Sequence, residues 1–147
     1  MIDRWRERVK PDDIVYHLGD FSITKADFPT RILAELPGKK ILVLGNHDKS
    51  AARMMEFGFD FACESMTIVE QNTRLFLVHR PQRQIPPDTA YVLHGHIHNS
   101  TPEERAKHTA KGEIVIIPQF NINMCVEMWN YEPVTIRHIL SKVRRGQ

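Results

Sequence analysis

The sequence has little of what marks secreted, membrane-embedded or strongly nucleic-acid-binding proteins. Its 2 cysteines, Cys63 and Cys125, lie far apart and form no CxxC pair, so we interpret them as reduced, buried small hydrophobes. No apolar run approaches the roughly 20 residues of a membrane helix, and the charged first residues do not resemble a signal peptide. We therefore expect a cytoplasmic protein with free thiols.

The net charge is also small. Lys and Arg number 20 against 18 Asp and Glu, which leaves a formal charge of +2, too little to indicate nucleic-acid binding by itself. Basic residues concentrate only near the two ends, at Arg4, Arg6 and Arg8 and at Lys142, Arg144 and Arg145. We interpret both groups as solvated helix faces, with contact to phosphate or nucleic acid as the alternative.

What is present is an ordinary globular composition with alternating apolar patterns. Periodicity predicts helices over 2–10, from Phe28 to Leu36 and over 51–57, and predicts strands over 14–18, 40–44, 75–79, 91–93, 114–117 and 121–128, two more within 59–69, and a strand turning into a helix over 134–143. Residues 80–89 and 99–112 are expected to be loops. This order predicts an α/β fold, a sandwich of two mixed β-sheets flanked by helices.

Residues of the kinds that bind metals follow four of these predicted strands. The clusters are Gly19-Asp20, Gly45-Asn46-His47-Asp48, His79 and Gly95-His96-Ile97-His98. Such folds build their sites at strand ends, and a hydrolytic site needs imidazole and carboxylate ligands converging from separate strands. Together, the clusters predict metal-dependent hydrolysis of a phosphate ester.

Each cluster alone has a structural alternative. Asp20 alone is typical of a turn after glycine, and His79 alone is typical of a hydrogen-bonded histidine at a strand end. Asn46 and His47 fit a structural and a catalytic interpretation equally well. Only the combination of clusters favours the catalytic one.

The remaining histidines divide by context. His96 and His98 are separated by one residue, and an extended segment would place both rings on the same side, as metal ligands require. His17 and His94 lie at strand ends and are candidates to support a ligand by hydrogen bonding. Two further histidines, His108 and His138, are interpreted as surface residues.

The order of these motifs resembles that of the calcineurin-like metallophosphoesterases, especially their small bacterial and phage members. The family order is Asp-x-His, Gly-Asp, Gly-Asn-His-Asp/Glu, His and Gly-His-x-His, and all but the first element occur here in order. The segments 10–20 and 123–134 resemble the family's second-strand block and closing strands. The resemblance covers about residues 5–140 and implies the αββα fold of the family.

The resemblance also implies a role for each clustered residue. The implied metal ligands are Asp20, Asn46, His79, His96 and His98, and the implied catalytic residues are His47 and Asp48. Asp20 would bridge two ions about 4 Å apart, which bind the phosphate and activate the water that attacks phosphorus. His98 would belong to the second ion, and Asp48 would orient the His47 imidazole. Manganese is the favoured ion, with iron, zinc, cobalt and nickel also suitable.

One family element has no counterpart. No Asp in the chain is followed two residues later by His, and only 19 residues precede Asp20. In the family, that element ends the first strand and supplies two ligands to the His98 metal. We therefore expect a single domain over 1–147 that is N-terminally incomplete, with the first strand missing and with one full metal site beside a fragment of another.

Three explanations for this departure stay open: a truncated or internally started chain, a gap covered by another subunit in a homo-oligomer, or a naturally shortened single-metal or inactive relative. Two functions are carried forward with them. One is a phosphoesterase acting on a phosphorylated small molecule, a nucleotide or a nucleic acid, without a membrane partner. The alternative is a catalytically weakened phosphoesterase-fold module that binds a partner or a phosphate ligand. We expect weak or no activity from these 147 residues alone.

Overall fold

A computed structural model describes residues 1–22, 27–106 and 116–145 of the chain. The helices in this part are α1 (Ile2–Arg8), α2 (Asp27–Glu35), α3 (Ala51–Phe57), α4 (Pro102–Ala106) and α5 (Ile136–Arg144), with a 3₁₀ turn at Val126–Trp129. The strands are β1 (Ile14–His17), β2 (Lys39–Val43), β3 (Phe61–Cys63), β4 (Ser65–Glu70), β5 (Thr73–Val78), β6 (Tyr91–His94) and β7 (Asn121–Asn123).

The strands form two sheets, which confirms the predicted α/β architecture of two sheets flanked by helices. One sheet has the order β1-β2-β3 and the other β4-β5-β6-β7. The three-stranded sheet is parallel throughout rather than mixed, because each of its connections crosses over through a helix, α2 or α3. In the four-stranded sheet, β4 and β5 are antiparallel and the other pairs are parallel.

Strand β1 lies at the edge of its sheet. Among the described strands it pairs only with β2, and its first residue, Ile14, is half exposed. The expectation that a homo-oligomer covers this edge stays a prediction. No helix in the described ranges has the length and apolar character needed to cross a membrane.

Strand β2 is buried on both faces, and this fixes the position of its carboxyl end. Leu42 and Val43 are both fully buried, and consecutive strand residues point to opposite faces. Leu42 packs with Leu33 of α2 and Met54 of α3. Val43 instead joins the core that contains β5, β6 and α5. The strand therefore ties the three-stranded sheet to the rest of the molecule.

Helix α1 is confirmed as a short amphipathic helix, although it ends at Arg8 instead of residue 10. Val9 is extended, with φ −94° and ψ 130°. Trp5 is buried against Leu36, and its indole N–H donates to the Pro37 carbonyl at 3.0 Å. The helix thus closes one side of the domain beside α2.

The prediction of a polar loop over 99–112 is wrong in part, because α4 lies within this segment. Thr101 and Glu104 form a reciprocal cap: the Thr101 hydroxyl accepts from the Glu104 amide at 3.2 Å, and the Glu104 carboxylate accepts from the Thr101 amide at 2.7 Å. The Thr-Pro-Glu-Glu sequence has the spacing of a capping box followed by proline at the first helical position. Residues 107–112 lie outside the described part of the chain.

Three of the predicted elements near the end of the chain need correction. The strand predicted over 114–117 lies partly outside the described residues, and Ile116 and Ile117 are not in a strand. The strand predicted over 121–128 stops at Asn123, and a 3₁₀ turn follows at 126–129. The segment 134–143 holds no initial strand, because the Thr135 hydroxyl accepts from the amide of residue 138 and starts α5 directly.

Candidate metal centre

Four strands bring their carboxyl ends together at one edge of the two sheets. Strands β1 and β2 are parallel neighbours, as are β5 and β6. One contact then joins the sheets, because the His79 Nδ1–H donates to the Leu18 carbonyl at 2.7 Å. Within the four-stranded sheet, the Gly95 amide donates to the His79 carbonyl at 3.0 Å, which holds the ends of β5 and β6 together. The predicted clusters therefore meet at a single place.

Glycines permit this close approach. A Cβ on Gly45 would lie 2.2 Å from Asp20 Oδ1, and one on Gly19 would lie 2.4 Å from His79 Nδ1. Real Cβ atoms do not approach other atoms so closely, so a larger residue would push the loops apart. The glycines before the site residues thus serve to pack one strand end on another.

Four of the predicted ligands converge at this edge, and we call them the central cluster: Asp20, Asn46, His79 and His96. The Nε2 atom of His79 lies 3.3 Å from Asp20 Oδ2, 3.1 Å from Asn46 Oδ1 and 3.1 Å from His96 Nδ1. Within the described residues, Asp20, His79 and His96 form a group of metal-binding side chains with ligand atoms within 4.8 Å of one another.

The tautomer of His79 shows that its contacts suit a cation. A carbonyl can only accept, so the hydrogen of His79 Nδ1 points to Leu18, and the lone pair of the neutral ring is on Nε2. His96 can donate one hydrogen to that lone pair, yet the two oxygens from Asp20 and Asn46 also face it. Acceptor atoms crowded together without hydrogens between them are the environment that a cation requires.

The spacing of these atoms also fits a metal ion. Nitrogen and oxygen ligands lie about 2.1 Å from a divalent ion, so neighbouring ligands are separated by about 3.0 Å in an octahedron and about 3.4 Å in a tetrahedron. The contacts of 3.1 to 3.3 Å around His79 Nε2 fall in this interval. The central cluster therefore fits a divalent ion in both chemistry and spacing.

The electrostatics of His96 favour the neutral imidazole that metal binding needs. Burial lowers its pKa, the neighbouring Arg80, His79 and His98 lower it further, and the carboxylate of Asp20 opposes the shift. Arg80 follows His79 directly and is exposed. An exposed guanidinium beside the cluster is a feature that the motif search did not recognise.

Three of the site residues have left-handed backbones. The φ angles are 55° for Asp20, 69° for His96 and 49° for His98. This region is uncommon outside glycine, and such residues cluster at functional sites where the surrounding structure holds them. The sharp local turns direct these side chains away from the strands that precede them.

Asp48 contacts the backbone instead of the His47 ring. Its carboxylate accepts from the amides of Asp20 at 2.7 Å, Phe21 at 3.0 Å and Gly45 at 2.8 Å. Among the described residues, no hydrogen bond joins the Asp48 carboxylate to the His47 ring, so the expected orientation of His47 by Asp48 is not supported. Asp48 instead holds the loop after β1 against the loop after β2.

His47 lies at the rim of the site. Its amide donates to Asp20 Oδ1 at 2.9 Å, and the residue is exposed. The backbone is thus tied to the central cluster while the ring faces solvent, where a substrate oxygen would arrive. The catalytic role of His47 stays a prediction.

His98 is not part of the central cluster. Its Nδ1 lies 2.8 Å from Glu127 Oε1, and its side chain is 67% exposed. We call His98 and Glu127 the rim pair. Sequence reasoning missed Glu127, because an acidic residue within a predicted strand carries no motif signal.

The two histidines at strand ends, His17 and His94, lie close to the site, and their expected hydrogen bonds to metal ligands stay a prediction. His94 is buried, its Nδ1–H donates to the Gly95 carbonyl at 2.8 Å, and its own carbonyl accepts from the Met124 amide at 2.7 Å. Among the residues that the structure describes, the buried Nδ1 of His17 has no hydrogen-bond partner, and the ring meets Phe21 edge-on at 5.2 Å. Burial lowers the pKa of His17, with Asp48 and Asp20 opposing and His79 adding to the shift.

Comparison with known proteins agrees with this geometry. Residues 1–118 match the sequence model of the calcineurin-like phosphoesterase superfamily domain. The chain belongs to this superfamily. The match contains the whole central cluster and His98, and it ends before Glu127.

Two similar proteins match most of this chain, one in sequence and one in structure. An uncharacterised protein of Methanocaldococcus jannaschii is 30% identical over 151 residues, which span all of this chain and 75% of that protein. The crystal structure of a protein of unknown function from Aquifex aeolicus has a TM-score of 0.70 and 28% identity, and the match covers 95% of this chain and 81% of that one. Both similarities extend beyond the family match into the last strand and helix.

Proposed function

We propose that this protein is a divalent-metal-dependent phosphoesterase that hydrolyses a phosphomonoester or phosphodiester. The observation that carries the proposal is the central cluster, in which two oxygens and a nitrogen lie 3.1 to 3.3 Å from His79 Nε2. A divalent ion held there supplies a Lewis acid for phosphoryl oxygens and lowers the pKa of water. Membership of the phosphoesterase superfamily supports the same chemistry.

The chain's own residues complete the arrangement. Asp20 uses one carboxylate oxygen to hold the His47 amide and places the other beside His79. His47 is thereby kept next to the cluster with its ring exposed, where it can donate a hydrogen bond to a phosphoryl oxygen or protonate the leaving oxygen. Exposed Arg80 adds a positive charge that favours an anionic substrate.

The ligand set restricts the ion without naming it. Imidazole, amide and carboxylate suit manganese, iron, zinc, cobalt and nickel better than calcium, which prefers oxygen ligands alone. We propose manganese as the first ion to test. The substrates to test are a phosphorylated small molecule, a nucleotide and a short nucleic acid.

The direct test is hydrolysis of an aryl phosphodiester and an aryl phosphomonoester with and without Mn²⁺. We expect weak, Mn²⁺-dependent turnover by the wild-type chain and none by Asp20→Ala, which loses the carboxylate shared by His47 and the cluster. His138→Ala is the matched control, because His138 is exposed and lies on α5. Turnover that survives Asp20→Ala would contradict the proposal.

A catalytically weakened binding module is the second candidate, and the rim pair favours it. His98 points to Glu127, so the described residues assemble one ligand cluster instead of two. His47→Gln separates the candidates. In an enzyme, kcat falls by about 10²–10⁴-fold, the usual contribution of a positioned acid or base, while metal binding is retained. In a binding module, the wild type already lacks turnover.

A further inference from the structure

His98 is held at two points by one segment that follows β7. The Asn123 side-chain amide donates to the His98 carbonyl at 2.6 Å, and Glu127 Oε1 accepts from the His98 Nδ1–H at 2.8 Å. The first contact fixes the backbone of His98 and the second fixes its ring. Such a pair of contacts restrains the imidazole although its side chain is largely exposed.

The holding segment is itself well anchored. Asn123 Oδ1 accepts from the Cys125 amide at 2.9 Å, and the Asn123 carbonyl accepts from the Trp129 indole N–H at 2.9 Å. Glu127 lies on the 3₁₀ turn between these anchors. Its position relative to Asn123, and therefore to the His98 backbone, is set by the protein rather than by solvent.

The environment of Glu127 differs from that of an ordinary surface ion pair. Its side chain is 24% exposed, and Oε2 is buried without a hydrogen-bond partner among the described residues. A partly buried carboxylate with one unsatisfied oxygen is costly, which points to a role beyond surface stability.

The contact also selects the tautomer of the imidazole. A hydrogen on Nδ1 that is donated to Glu127 leaves the lone pair of neutral His98 on Nε2. A carboxylate that accepts from one ring nitrogen fixes the ring's orientation and makes the other nitrogen a better metal ligand. We propose that Glu127 is a positioning residue that presents His98 Nε2 to a divalent ion, an inference that rests on the proposed phosphoesterase function.

Glu127 lies outside the residues that match the family model. The family match ends at residue 118, so Asn123 and Glu127 both lie outside it. His98 lies within the matched region, and its restraint comes from the segment that follows. The metal affinity contributed by His98 therefore depends on residues outside the family match.

The test measures two properties of wild type, Glu127→Ala and Glu127→Gln: the His98 tautomer by long-range ¹H–¹⁵N NMR of the metal-free protein, and Mn²⁺ binding by EPR. Exposed Glu64 supplies the matched control, Glu64→Ala. We expect the Nδ1–H tautomer in wild type and its loss in Glu127→Ala. His98→Ala identifies the Mn²⁺ binding that depends on His98, because that binding is lost in this variant. In Glu127→Ala we expect the affinity of the same binding to fall about 10- to 100-fold, as when a residue that hydrogen-bonds a metal ligand is removed from other sites.

Glu127→Gln distinguishes positioning from a general charge effect. Its amide oxygen can still accept from Nδ1–H, so we expect the tautomer to be kept and the affinity to be partly restored. If Glu127→Ala or His98→Ala binds Mn²⁺ as tightly as the wild type does, the inference is overturned. The proposed function is unaffected by that outcome. If wild type binds no Mn²⁺ at all, the proposed function fails and the inference fails with it.

Discussion

The central cluster and the rim pair hold their histidines in different ways. His79 is buried at 5% exposure, and its ring donates to a backbone carbonyl at the end of β1. His98 is largely exposed, and its ring is held by a side chain from a 3₁₀ turn. One histidine is positioned by strands and the other by a segment that follows them.

This difference indicates that the central cluster is more preorganised than the rim pair. Backbone contacts at strand ends are fixed as soon as the sheets form, whereas a contact between two side chains also has to restrict their rotamers. The central cluster should therefore bind an ion with little rearrangement. The rim pair should contribute less to affinity and respond more to substitution of its neighbours.

The largest expected effect comes from removing the charge of the central cluster. Asp20→Asn should weaken Mn²⁺ binding about 10³-fold, because a unit charge about 4 Å from another is worth about 4 kcal/mol at an effective dielectric constant of 20. For Mn²⁺ bound at the central cluster, His98→Ala should cost about 10-fold or less, because His98 is not part of that group of ligands. Equilibrium dialysis with Mn²⁺ measures both, and equal losses would contradict the distinction between the two regions.

The next effect concerns the loops that support the cluster. Asp48→Ala leaves three amides without their charged acceptor, and we expect the free energy of unfolding to fall by about 3 kcal/mol. Asp60→Ala is the matched control, because in the described part of the chain its carboxylate accepts from one amide, that of Lys40, at 2.7 Å. About 1 kcal/mol is expected there. Urea unfolding of the metal-free variants measures the difference, and similar losses would show that Asp48 does not link the loops.

A smaller effect is expected from closing the space at a glycine. Gly45→Ala places a Cβ 2.2 Å from Asp20 Oδ1, whereas Gly95→Ala places one 2.9 Å from the Leu18 carbonyl. We expect about 2 kcal/mol of destabilisation for the first, within the usual cost of overpacking, and less for the second. Mn²⁺ affinity should fall in the same order. Thermal unfolding with and without Mn²⁺ tests this, and a reversed order would be incompatible with the close packing of these strand ends.

The smallest effect is a difference in pH dependence between the two regions. Burial lowers the pKa of His17 behind the central cluster from 6.5, so the unfolded state binds more protons below that value. The stability that neutral His17 contributes is present above pH 6.5 and is lost as pH falls through its folded pKa. Burial raises the pKa of Glu127, but its hydrogen bonds to His98 and to the backbone outweigh burial and lower that pKa from 4.5. The stability contributed by Glu127 is therefore lost only at more acidic pH.

Unfolding of the metal-free protein between pH 3 and 8 should separate these two windows. His17→Gln should flatten the profile in the interval just below pH 6.5, and Glu127→Gln should flatten it below pH 4.5. Each variant should leave the other's interval largely unchanged, because independent sites contribute additively. Profiles that stay parallel to the wild type would contradict the assigned groups.

Much of the fold could be predicted because it depends on local patterns. The helix at 51–57 ends at Gly58, whose φ of 121° few other residues adopt. The turn at Gln71-Asn72 has the left-handed backbones of a tight hairpin. The errors lie near the end of the chain, where residues such as Asn123 and Thr135 bind the backbone and stop or start an element. Those interactions do not alter hydrophobic periodicity, so the pattern extended each strand too far.

The sequence by itself determined which residues stand at the strand ends and in which order, because a buried strand and the turn after it are read from neighbouring residues. Only the tertiary structure decided which of them meet. His79 and Leu18 are 61 positions apart, and Asp48 and Asp20 are 28 apart. The same long-range packing turned Asp48 to the backbone and His98 to Glu127, since both partners come from other elements that no local motif specifies.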